Sequence, residues 1–210
     1  MDAKKTHPET LDLRGGRLCL DFVNTVDWRG STEVSDYLQS FQDVVLWGRH
    51  VSIFTEHDVQ QLLGKAAENP DEGELVFGRT IALRETFYRI FSASVQQREP
   101  SAEDLVLFNM QFSRTMAHSS LVKTENGFLW DLRGDKTALD WVLNPLIRSA
   151  ADLLVSAELT RLKQCGNPKC DWFFLDNSRN RSRNWCSMKI CGNRAKAHRF
   201  YQRKQQTRTP

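Results

Sequence analysis

The last fifty residues of this chain are nearly devoid of acid. Asp171 and Asp176 are the only acidic side chains from Arg161 to Pro210, against 13 Lys and Arg, a net of +11. Residues 1–160 are left with −8, a division that the bulk value of +3 hides. A split this sharp speaks against one uniform catalytic domain. It points to two parts with different jobs, one of which meets a polyanion.

Other absences narrow the class further. No apolar run approaches the roughly 20 residues that span a bilayer. The opening MDAKKTHPETLDLRGG lacks the apolar stretch of a secretory signal, so a soluble cytoplasmic protein is expected. No internal repeat, nucleophile elbow, phosphate-cradling loop or His-Glu-x-x-His helix occurs, and His50, His57 and His118 have no partner motif. No catalytic residue is assigned, and a non-enzyme is expected. What the chain does hold is 40% hydrophobic residues with six Trp, which is ample for a packed core. Its 210 residues suit one ordinary domain and a small module.

The patterning of the first 160 residues is mainly helical. Leu18, Leu20 and Phe22 alternate after the Gly15-Gly16 turn, as in a short strand or an extended approach to a helix. From Asp36, Leu38, Phe41 and Val45 share a helical face; Thr55 with Asp58 caps a second helix carrying Val59, Leu62, Leu63 and Ala66. Val76, Thr80, Leu83, Phe87, Ile90 and Ser94 form the longest stripe, and Ser101 with Asp104 opens a helix through Phe108 and Phe112. Residues 121–130 read as a hairpin about Asn126-Gly127. A last helix carries Ala150, Leu153, Leu154, Ala157 and Leu162, with Pro145 near its start. Asp21, Asn24, Arg84 and Arg89 are polar residues amid these stripes; they are read first as caps and ion pairs, with a ligand pocket as the alternative.

Four of the five cysteines, Cys165, Cys170, Cys186 and Cys191, lie within 27 residues in the order C-x4-C, fifteen residues, C-x4-C. Zinc takes four tetrahedral ligands, and two short loops each giving a pair of thiolates meet that demand. Four thiolates leave no open coordination position, so one structural zinc per chain is expected. Lys169, Lys189 and backbone amides would offset the excess negative charge. Between the pairs, Trp172–Leu175 and Asn184-Trp185 read as two strands, and the chain turns helical after Cys191. Such a module, treble-clef or zinc-ribbon-like with a tiny core of its own, should unfold without metal. Cys19, far from the cluster, reads as a small buried hydrophobe.

Cys191-Gly192-Asn193-Arg194, together with Trp185-Cys186-Ser187-Met188 and Phe174–Asn180, closely resembles the bacterial CGNR zinc-finger family. Leu18–Thr25 resembles the opening signature of the ABATE domain, which usually precedes that finger. The resemblance covers nearly the whole chain, with an ABATE-like helical domain over 1–162 and the finger over 163–210. It implies a DNA-binding transcription regulator, proposed as stress-responsive.

The basic residues point to nucleic acid independently. Lys196, Arg199 and Arg203 fall on one helical face, Arg194 flanks them, and Arg179, Arg181 and Arg183 sit between the cysteine pairs. Held on one metal-locked module, these seven form a phosphate clamp, and the family resemblance implies DNA as its partner. RNA is the nearest alternative, because Trp172, Phe173, Phe174 and Trp185 would stack on unpaired bases if exposed. A zinc-dependent protein-interaction adaptor, docked on an acidic partner or on the chain's own acidic domain, is the other. A homodimer and a small ligand for the N-terminal domain are left open by the sequence, and no membrane partner is expected.

Overall fold

The computed structural model describes residues 7–29, 31–32 and 34–206, and within the last helix it excludes the side chains of residues 198, 199, 201 and 203–206. Among the described residues are seven α-helices and six short strands. Leu18–Val23 is a helix, α1, rather than a strand. Its five buried residues in a row belong to a segment enclosed on all sides, which erases the contrast between alternation and helical period.

β1 (Val26–Asp27) pairs antiparallel with β2 (Ser35–Asp36), so the helical pattern expected from Asp36 begins later, at α2 (Phe41–His50) behind the Ser40 cap. Thr55 and Asp58 form the reciprocal capping box of α3 (Glu56–Glu68). Pro70 then opens α4 (Pro70–Val95), 26 residues long, and the Ser101 side chain caps α5 (Ala102–Ala117). The hairpin is present as β3 (Ser119–Thr124) and β4 (Gly127–Leu132), with Leu121 opposite Trp130. α6 (Leu143–Leu154) stops before Leu162. Ala157–Arg161 instead forms a 3-10 turn, and Leu162 starts β5 (Leu162–Gln164).

β5 pairs antiparallel with β6 (Phe173–Leu175), Lys163 facing Phe174. The expected partner for Trp172–Leu175, Asn184-Trp185, forms no strand, although the Asn184 carbonyl accepts from the Gly166 amide at 2.8 Å. The other edge of β6 is taken instead by the Asn24 side chain, which binds the amide and carbonyl of the fully buried Phe173. α7 (Asn193–Gln206) follows a π-helical turn, Met188–Gly192.

A continuous chain of rings joins the two halves. Phe22 contacts Trp47 and Phe87, with centroids 5.5 and 6.2 Å apart, and Phe87 contacts Phe91 at 6.0 Å. Phe173 of β6 then closes on Phe91 at 6.1 Å and Tyr88 at 5.5 Å. One core thus includes residues from α1 to Cys191, in place of the tiny separate core expected for the module. Trp172, Phe173 and Phe174 lie inside it and are withdrawn from any unpaired base. Arg84, only 3% exposed, binds Asp36 of β2 at 2.6 and 2.7 Å, and Arg89 binds Asp104 at 2.6 Å. Both arginines serve as structural ion pairs. Cys19 is enclosed, and burial pushes its thiol up to about 12. Among the described residues no helix is long and apolar enough to cross a membrane.

Candidate metal centre and nucleic-acid interface

The four cysteine sulfurs converge on one point. All four Sγ atoms lie within 4.8 Å of one another, and Cys170–Cys186 and Cys186–Cys191 are both 3.6 Å apart. An ion ~2.3 Å from each of four tetrahedral sulfurs sets them ~3.8 Å apart, so the cluster fits zinc and no disulfide closes it. All four residues are buried.

Local chemistry builds each loop. In the first, the Asn167 carbonyl accepts from the Cys170 amide at 2.9 Å, while its side-chain oxygen accepts from Lys169 N at 3.2 Å. The Cys186 amide donates to Cys165 Sγ at 3.5 Å, the kind of N–H contact that stabilises a thiolate. In the second loop, Ser187 Oγ accepts from the Ile190 amide at 3.3 Å and its carbonyl from Gly192 N at 3.0 Å.

Asp176 anchors the segment between the loops. Its buried carboxylate accepts from Lys163 Nζ at 2.6 Å, Ser178 Oγ at 2.6 Å, Ser178 N at 3.0 Å and Arg183 N at 2.9 Å. Burial alone would raise its pKa. These donors outweigh burial and hold it well below the usual carboxylate range.

The seven basic residues singled out from the sequence divide into groups. Arg179, Arg181 and Lys196 are exposed, and among the described residues none of them makes an ion pair. Arg183 is spent inside the fold: Nε donates to the Trp185 carbonyl at 2.8 Å, its terminal nitrogen donates to the Cys186 carbonyl, and the guanidinium lies 4.4 Å over Phe174. Arg194 is stacked 4.6 Å over Trp28. Arg199 and Arg203 continue along α7, and their side chains lie outside the described residues.

The CGNR zinc finger model matches residues 161–204. The ABATE model, described as "Putative stress-induced transcription regulator", matches residues 16–157, more than half of the chain. The chain belongs to the ABATE family. No curated protein matches it.

Each residue of the Cys-Gly-Asn-Arg run has a separate task. Cys191 supplies the fourth sulfur. Gly192 is there because a Cβ would collide with the Met188 sulfur and crowd Trp185. Asn193 Nδ2 donates to the Lys189 carbonyl at 3.0 Å, tying α7 to the second loop. Arg194 reaches the ABATE segment through Trp28.

The ABATE signature, in turn, is where the finger docks. Asn24 Nδ2 donates to the Phe173 carbonyl and Asn24 Oδ1 accepts from the Phe173 amide, both at 2.8 Å, so one carboxamide acts as a strand partner to β6. The Gly15 carbonyl accepts from Leu175 N at 3.0 Å, and Trp172 Nε1 donates to the Val26 carbonyl at 3.0 Å. Asp21 fixes the approach, accepting from Gly15 N at 2.7 Å while burial raises its pKa. Asn24 is the C-cap of α1 through its backbone, while its side chain docks β6 instead of capping the following helix. Its partner is 149 residues away, and nothing local announces it. Trp28 was missed in the same way, because its neighbours Lys169 and Arg194 are equally remote in sequence.

Proposed function

We propose that this ABATE-family chain is a DNA-binding transcription regulator whose finger, locked by one structural zinc, grips the phosphate backbone. The observation that carries the reading is the uncompensated positive face of the finger. Arg179, Arg181 and Lys196 stand exposed without ion pairs among the described residues, beside a net +11 over residues 161–210. A small, rigid, cationic module of this kind matches the electrostatic footprint of a nucleic-acid binder. Arg199 and Arg203 follow Lys196 on α7 at the sequence spacing of one helical face. Arg183 braces the second cysteine loop and contributes indirectly. Duplex DNA is favoured over unpaired RNA, since three of the four aromatic residues available for stacking are buried.

The test is a titration of the zinc-loaded chain against duplex DNA and matched RNA at several salt concentrations. Five phosphate contacts give a log–log salt slope of about −4 to −5 on B-DNA. Replacing Arg179 and Arg181 together with Gln should flatten that slope by about 2. Absence of affinity for duplex DNA, or a slope unchanged by the double variant, refutes the reading. Tighter binding to RNA at equal salt favours the RNA alternative.

A further inference from the structure

We propose that the seam between the ABATE segment and the finger is a binding site for a small planar aromatic anion. A cavity of about 580 Å³ opens there, walled by Trp28 from the ABATE side and by Asn167, Lys169, Asn184, Trp185 and Arg194 from the finger. That volume lies within the range of small-molecule sites, and is far larger than a packing defect.

The chemistry of the walls selects the ligand. Two indoles offer flat apolar surface, the material for stacking a planar ring. Two cations supply the charge preference. Lys169 Nζ sits 5.8 Å from the Trp28 ring centroid and the Arg194 guanidinium 4.6 Å, and among the described residues neither makes an ion pair. Cation–π contact compensates a cation only partly, so Lys169 keeps most of its attraction for an anion, while Arg194 shares its field with the neighbouring Asp27 carboxylate. A carboxylate on an aromatic ring satisfies both demands at once.

The backbone shows that the indole is placed there at a cost. Trp28 has φ of +63°, the left-handed region that a bulky side chain disfavours. Its carbonyl accepts from Ser31 N at 2.9 Å, which closes the turn that holds this conformation. Strained, half-exposed aromatic residues of this kind cluster at ligand clamps. The finger side is equally built: the Gly166 amide binds the Asn184 carbonyl at 2.8 Å, and a Cβ on Gly166 would meet the Asn184 side chain at 2.8 Å.

The site joins both halves of the molecule, and its wall includes the Arg of the Cys-Gly-Asn-Arg run. A bound anion would therefore contact the first turn of α7 directly.

Calorimetric titration of the zinc-loaded full chain with 1-naphthoate tests the proposal, with neutral 1-naphthamide and non-aromatic cyclohexanecarboxylate as controls. Naphthoate should bind at least tenfold more tightly than either control. Lys169→Gln, at an exposed position, should weaken naphthoate at least threefold and leave naphthamide unchanged; Trp28→Leu should abolish the preference for the aromatic ring. No heat with naphthoate at millimolar concentration overturns the proposal, as does equal binding of acid and amide. So does an affinity unaltered by Lys169→Gln. Nucleic acid is absent from the experiment, so its outcome is separate from that of the DNA titration.

Discussion

Replacing Asn24 with alanine strips both hydrogen bonds from the backbone of Phe173 without touching the zinc cluster. Asn24 is 1% exposed and Phe173 fully buried, so water does not reach the amide and carbonyl that lose their partners. A buried polar group left without a partner costs about 1–3 kcal/mol, and two are orphaned here, for a total of about 2–6 kcal/mol. For a domain of this size each kcal/mol shifts Tm by about 2–4 °C, so the variant should melt roughly 4–24 °C lower. Guanidinium titration followed by far-UV circular dichroism, with the same slope assumed for both proteins, gives the difference directly. Asn24→Asp serves as a companion, because its carboxylate still accepts from the Phe173 amide yet faces the Phe173 carbonyl. It should fall below wild type as well. A loss under about 1 kcal/mol for the alanine variant would refute the docking role of this residue.

Three further outcomes follow from the same geometry. Truncating Phe173 to Ala removes a ring shared by β6 and α4, and should cost about 3–5 kcal/mol in the same titration. Because Asp176 is held below its ordinary range, its contribution is present above the unfolded pKa of about 4 and lost as pH falls through the folded value. Asp176→Asn should therefore be less stable at pH 7, with the gap to wild type closing in acid; a gap independent of pH would contradict the assignment. Chelating the zinc, or Cys170→Ser, should release amide protection across Cys186–Cys191 while Phe173–Leu175 stays protected in hydrogen exchange. Equal loss in both segments would mean that β6 depends on the metal rather than on the aromatic core.

Features that depend on short spacing were legible in the sequence. The capping box of Thr55 and Asp58, the Asn126-Gly127 hairpin and the four metal-binding cysteines each rest on residues a few positions apart, where stereochemistry leaves few arrangements. The segment 18–23 was harder, because a fully enclosed helix carries no periodic contrast. The second strand of the finger was misplaced for a related reason. Asn184-Trp185 and Leu162–Gln164 stand equally far from Phe173–Leu175 in sequence, and Lys163 and Gln164 gave the true partner no apolar strand pattern.

The sequence by itself determined that the chain carries two oppositely charged halves, a mainly helical first part and a closed four-thiolate site, since composition and local spacing suffice for these. Tertiary structure decided which of the finger's cations face outward, that Arg183 is consumed in bracing a cysteine loop, and that Arg194 turns back onto Trp28. It also decided that the charge boundary is not a gap between separate bodies. Asn24, Trp172 and Phe173 stitch the halves into one core through contacts nearly 150 residues apart. Contacts at that separation are chosen by global burial and hydrogen-bond satisfaction, and neither leaves a mark in any short window of sequence.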